Sequence, residues 1–202
     1  MMENKLSKAE RTRQYIIETT AGIFNTKGYA GTSMSDITEA TGLTKGSIYG
    51  NFGNKEDVAL AAFDHNYANV SAVIQQRIRA AKTFHDKLMV YAQVYDQYTR
   101  NNLFPQGGCP ILNTAVEADD TNSLLKDRAA QAIMKWRRSV QNLMQGGVDA
   151  GEFKDGLDIS RLALSIIAML EGGIMISKVT NSQACLDKIM NTVELLITDM
   201  KV

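Results

Sequence analysis

Hydrophobic positions recur every three or four residues along almost the whole chain, and no segment shows the two-residue alternation of a half-buried strand. The pattern predicts an all-α protein without internal repeats. A first helix is expected from Ser7, where Ser7 and Glu10 fit a capping box, and its face is lined by Ile16, Thr20, Ile23 and Phe24 before Lys27-Gly28 closes it. A second begins near Ser33 and turns Ile37 and Ala40 inward, and a third covers about Lys45 to Asn51. Asn54 caps a long fourth helix with the stripe Leu60, Phe63, Tyr67, Val70, Ile74 and Ile78. Further helices are expected over about 84–100, 111–118, 123–150, 158–178 and 184–200.

Two prolines, Pro105 and Pro110, fall together in NNLFPQGGCP, the clearest loop in the chain. The helix starting at Asp158 carries Ile159, Leu162, Ala163, Ile166, Ile167, Leu170 and Ile174 in one broad stripe, with Leu164, Ala168 and Met175 elsewhere on its circumference. A helix apolar on more than one face must be covered twice, once by its own domain and once by something else, such as a second copy of the chain. Helix length changes along the chain: short helices fill residues 1–53, long ones fill 54–202, and the helix over 54–81 joins the two parts.

Composition narrows the class. The chain has 202 residues, 45% of them hydrophobic, and a formal net charge of zero, which describes a folded protein and not a disordered one. Up to residue 55 the basic residues Lys5, Lys8, Arg11, Arg13, Lys27, Lys45 and Lys55 barely outnumber Glu3, Glu10, Glu18, Asp36 and Glu39. Any attraction to nucleic acid must therefore come from arrangement on one face. The polar start MMENKLSKAERTRQ lacks the apolar core of a signal peptide, no apolar run of membrane-spanning length is evident, and Cys109 and Cys185 have no metal-ligand or redox spacing. A cytoplasmic protein with no membrane, metal or cofactor is expected.

The chemistry concentrates between Ser33 and Asp57. A helix-turn-helix needs a short supporting helix, a turn with glycine and a recognition helix. Gly42 suits the turn, while Ile37, Ala40, Leu43, Ile48 and Phe52 suit the inner faces. The outer face then shows Lys45, Gly46, Ser47, Tyr49 and Gly50. Thr44 stands at the helix start, where free amides can hold phosphate. Lys45 suits a phosphate or a guanine edge, Gly46 permits close approach, Ser47 suits a base edge, and the Tyr49 hydroxyl suits a phosphate. Lys55 opposes the dipole of the fourth helix, which a nearby phosphate would offset, and Thr32 and Ser33 stand where they can reach phosphate.

This stretch resembles the tetracycline-repressor (TetR) family of bacterial transcription regulators. The resemblance rests on Ser33-Met34, Asp36-Ile37-Thr38, Ala40-Thr41-Gly42-Leu43, Thr44 to Phe52, and Asn54-Lys55-Glu56, with Ile23-Phe24 and Lys27-Gly28-Tyr29 in the first helix. Gly50 departs from the pattern where a histidine is frequent, and Thr38 replaces a common alanine. The resemblance implies an N-terminal helix-turn-helix DNA-binding domain, a larger C-terminal domain that binds a small effector, and a homodimer through the last two helices. Two recognition helices about one DNA turn apart, or a multiple of it, would read a pseudo-palindromic operator.

Candidates for the effector pocket are Tyr95 and Tyr98, Trp136, Met169, and the polar residues Asn113, Glu117 and Glu171, although core packing accounts for aromatic and methionine stripes equally well. Cys109, at the start of a helix, is either an oxidant-sensing thiol or a small buried residue; the second is the expectation. His65 and His85 assemble no metal site. The reading is a ligand-responsive repressor. The alternatives are a DNA-binding protein of the same fold controlled by a protein partner or by Cys109 oxidation, and a helical enzyme using Cys109 or the acidic run Glu117 to Asp120, which lacks a nucleophile–base pair.

Overall fold

The computed structural model describes residues 7–97 and 104–202. Its described residues form α1 (Lys8–Lys27), α2 (Met34–Thr41), α3 (Lys45–Tyr49), α4 (Lys55–Ala80), α5 (Phe84–Asp96), α6 (Pro110–Ala118), α7 (Ser123–Asp149), α8 (Ile159–Thr180) and α9 (Gln183–Asp199). The extended structure among them is a lone antiparallel bridge between Phe153 and Lys201.

The expected starts are made by the expected chemistry. The Ser7 hydroxyl accepts from the Glu10 amide while the Glu10 carboxylate accepts from the Ser7 amide, a complete capping box. Ser33 and Asp36 repeat the arrangement at α2. Asn54 accepts from the Asp57 amide at the head of α4, and Asp158 accepts from the Arg161 amide at α8. The recognition helix is shorter than expected, ending at Tyr49 with Gly50 as its C-cap. The fifth ends at Asp96 with Gln97 as its C-cap, and residues 98–100 of the expected helix lie outside the described residues.

The chain divides into two compact units. One comprises the chain up to Asn69 together with Pro105–Ala129; the other comprises Val70–Phe104 and Ala130–Val202. The expected division at 53/54 therefore misses that the start of α4, all of α6 and the start of α7 share a core with the helix-turn-helix. That core holds Ile16, Phe24, Ile37, Ile48, Phe52, Val58 and Ala62 beside Ala118 of α6 and Leu125 of α7. Ala40, expected inside, is exposed, because α2 turns the face bearing Ile37 and Thr41 inward. Helices α4 and α7 run continuously from one unit into the other.

In the second unit α9 packs on α8 and α5. Ala163, Ile166, Leu170 and Ile174 of α8 are 1% exposed or less. Leu164, Met175, Ile176 and Val179 stay exposed, as does Leu195 on α9, so the two-faced character of α8 is real. By length and composition α8 is apolar enough to cross a membrane, unlike the expectation from the sequence, and one of its faces is buried in a helical core.

Candidate nucleic-acid interface

The turn between α2 and α3 is set by Gly42, which adopts φ 67° and ψ 10°. A side chain there would occupy open space, so backbone conformation alone requires glycine. Beyond it, Thr44 caps α3 by accepting from the Ser47 amide at 3.2 Å. Ile48 points inward and is fully buried. Thr44, Lys45, Gly46, Tyr49 and Gly50 are exposed and Ser47 is half-exposed, so the side chains singled out from the sequence share the outer surface of α3. Tyr49 leaves 49% of its surface open. At the neighbouring head of α2, Ser33 is exposed but its hydroxyl is 2.5 Å from Asp36. The Lys27 ammonium at 2.6 Å, with hydrogen bonds from Ser33, holds the Asp36 carboxyl well below the usual carboxylate range.

One expected phosphate contact, Thr32, is corrected, and a second expected residue, Lys55, is engaged within the chain. Thr32 is fully buried, and its hydroxyl donates to the Gly28 carbonyl at 2.6 Å, so it is spent on the turn after α1. Lys55 donates from Nζ to the carbonyls of Tyr29 at 2.7 Å and Thr32 at 2.8 Å, and lies 4.1 Å from the centre of the Tyr29 ring. Its unfavourable place at the start of α4 is offset inside the chain, by two turn carbonyls and a ring face.

The same turn is held from its other side. The Glu117 carboxylate on α6 accepts from the amides of Tyr29 and Ala30, each at 2.8 Å. Asn25 of α1 donates to the carbonyls of Gln106 and Gly108, and Asn113 of α6 donates to those of Asn25 and Gly107. Asn113 and Glu117 thus both make their hydrogen bonds within the first unit. Sequence reasoning missed Asn25; an amide on the buried face of an amphipathic helix, next to Phe24, was the available signal.

Other expected pocket residues do gather in the second unit. The rings of Tyr95 and Trp136 stack at 5.6 Å, Tyr91 lies 6.1 Å from Trp136, and Phe104 meets Tyr95 edge-on at 5.0 Å. The Tyr95 hydroxyl lies 3.3 Å from Glu171, and the buried Trp136 Nε1 has no hydrogen-bond partner among the described residues. Met169 is half-buried on α8, and Tyr98 lies outside the described residues. Cys109 is 1% exposed at the N-cap of α6 and makes no side-chain capping bond. Among the described residues no group of His, Cys, Asp and Glu forms a metal site.

Residues 16–62 match the family model for bacterial regulatory proteins of the tetR family, and residues 85–193 match that for the tetracyclin repressor-like C-terminal domain. The fold is similar to that of a TetR-family transcriptional regulator from Cytophaga hutchinsonii, at 46% identity and a TM-score of 0.94, covering 98% of this chain and 99% of that one. A TetR regulator from Chloroflexus aurantiacus is 38% identical with a TM-score of 0.91, over 97% and 98% of the two chains. The transcriptional repressor DhaR of Mycobacterium sp. (strain GP1) is 25% identical, over 90% of this chain and 89% of its own.

Proposed function

The chain belongs to the TetR family and is a helix-turn-helix transcriptional regulator; from that premise we propose that it represses genes from a pseudo-palindromic operator as a homodimer and is released by a small effector. The carrying observation is the outer surface of α3. Thr44, Lys45, Gly46 and Tyr49 stand exposed directly after a glycine turn, on a helix whose inner side is anchored by Ile48.

The dimer forms through α8 and α9. Ala168, Gly172, Met175 and Val179 share one side of α8 by their four- and three-residue spacing. A side chain at Gly172 would meet nothing within 4 Å, so the chain's own packing gives no reason for a glycine inside this helix. A partner backbone approaching closely supplies one.

Tyr95, Trp136 and Glu171 line the effector site. A ligand oxygen or nitrogen would satisfy the Trp136 N–H, whose burial without an acceptor is costly. The effector must prefer the conformation in which the two recognition helices are wrongly spaced, since equal affinity for both states would shift nothing. Helices α4 and α7, continuous through both units, carry the signal, and Glu117 fastens α6 to the turn ahead of α2. The protein acts in the cytoplasm, on chromosomal DNA.

The test is selection of operators from a random duplex pool, followed by affinity measurement for wild type, Lys45→Ala and Tyr49→Ala at physiological salt. A palindromic consensus bound by wild type and lost in both variants is expected; an affinity that ignores sequence would exclude the reading.

A further inference from the structure

Two side chains of α1 hold the ends of the reading helices. The Arg13 guanidinium donates to the Asn51 carbonyl at 2.5 Å and lies 3.9 Å from the centre of the Phe52 ring, just past the end of α3. The Tyr15 hydroxyl donates to the carbonyl of Thr41, the last residue of α2, at 3.0 Å. Both acceptors lie at or just beyond helix ends, where carbonyls lack partners within the helix. Two positions apart on α1, the side chains leave its axis roughly 200° apart, so they reach α3 and α2 from different flanks.

Neither residue is placed by burial. Arg13 is exposed, and Tyr15 leaves 47% of its surface open. Between their two grips lies the apolar contact of Ile16, Ile37 and Ile48, each fully buried. Such a contact is non-directional and permits small rotations, whereas a hydrogen bond to a carbonyl at each helix end does not.

We infer that Arg13 and Tyr15 are positioning residues for DNA reading: together they fix the pitch of the recognition helix against its supporting helix. This rests on the DNA-reading function proposed above. The aim of Lys45, Ser47 and Tyr49 at base edges and phosphates depends on that pitch, and no DNA contact by Arg13 or Tyr15 is required. An arginine on this rim also fits a direct phosphate contact, which is the competing outcome.

The variants are Tyr15→Phe, Arg13→Gln and their combination, with Arg13→Lys as the conservative change. Affinity for the selected operator and for a scrambled duplex is measured against salt concentration, beside the thermal midpoint. Each single change is expected to weaken operator binding roughly fivefold, the scale of an impaired base contact, and the pair more. Affinity for the scrambled duplex, the salt slope and the midpoint should stay near wild type. Arg13→Lys, which keeps a cation over Phe52, should recover part of the loss. Three results would overturn the inference: a salt slope lower by about one phosphate in Arg13→Gln, which makes Arg13 a direct contact; unchanged operator affinity; or losses that follow the midpoint. Failure of wild type itself to discriminate sequence would sink the DNA-reading function instead, which separates the two.

Discussion

The Glu117 carboxylate accepts the Tyr29 amide at 2.8 Å, and so binds α6 to the turn that leads into the DNA-reading helices. It takes the Ala30 amide at the same distance, while Lys55 holds the carbonyls of Tyr29 and Thr32. The turn is thus gripped through its donors by an acid and through its acceptors by a base. Gly28 makes this geometry available. Its φ is 74°, and a Cβ there would fall 2.4 Å from a Glu117 oxygen.

Glu117→Ala should destabilise the protein by about 1.5–3 kcal/mol, the range for hydrogen bonds to a charged group. Gly28→Ala should also cost stability, through the left-handed backbone and the displaced carboxylate. The two effects should not add: Gly28→Ala should cost less in the Glu117→Ala background, since only the backbone strain remains. Urea unfolding of the double-mutant cycle checks this, and full additivity would contradict the clasp.

Asp36 predicts an acid response. Lys27 and Ser33 hold its carboxyl below its ordinary range in the folded state, so the unfolded chain binds that proton more readily. The stability it contributes is present above the unfolded value of about 4 and is lost as pH falls from there toward the depressed folded value. Asp36→Asn should therefore be less stable than wild type at neutral pH and converge with it in acid. Urea midpoints across the range from about pH 6 to 2.5 would show the two curves closing; parallel curves would refute the assignment.

Much of this was legible in the sequence because it is local. The caps at Ser7, Ser33, Asn54 and Asp158, the turn at Gly42 and the outward face of α3 each depend on residues within a few positions of one another. The partners of Thr32 and Lys55 are not legible locally, because they depend on how α1, the turn and α4 fold back together. The partners of Asn113 and Glu117 are hidden from the sequence for a related reason. Helix α6 lies far from α1 in sequence, and polar residues on it suit a pocket as well as a clasp until the fold supplies their partners.

The exposed side of α8 predicts an oligomeric state. Val179 is 77% exposed and Leu195 on α9 is 70% exposed. Val179→Glu should place buried like charges across a two-fold interface and shift the protein from dimer to monomer, read by sedimentation velocity. A Val179→Glu protein that stays dimeric at micromolar concentration would rule out this face.

Trp136 is the single tryptophan and so reports its own surroundings. Any compound that releases the protein from its operator should change Trp136 emission at the same concentrations. Trp136→Phe, which keeps an aromatic ring but removes the N–H, should need roughly 5- to 10-fold more compound for release. Release without any emission change in wild type would move the effector site elsewhere.

Whether the outer face of α3 reads DNA is measured by the affinity of wild type and Lys45→Ala for a selected palindromic operator and a scrambled duplex, across a salt series. Wild type should prefer the operator by about 10³-fold or more at physiological salt and lose affinity as salt rises. Lys45→Ala should lose most of that preference while keeping its fold. Equal affinity of wild type for both duplexes, or full preference retained by Lys45→Ala, would show that this face does not read DNA.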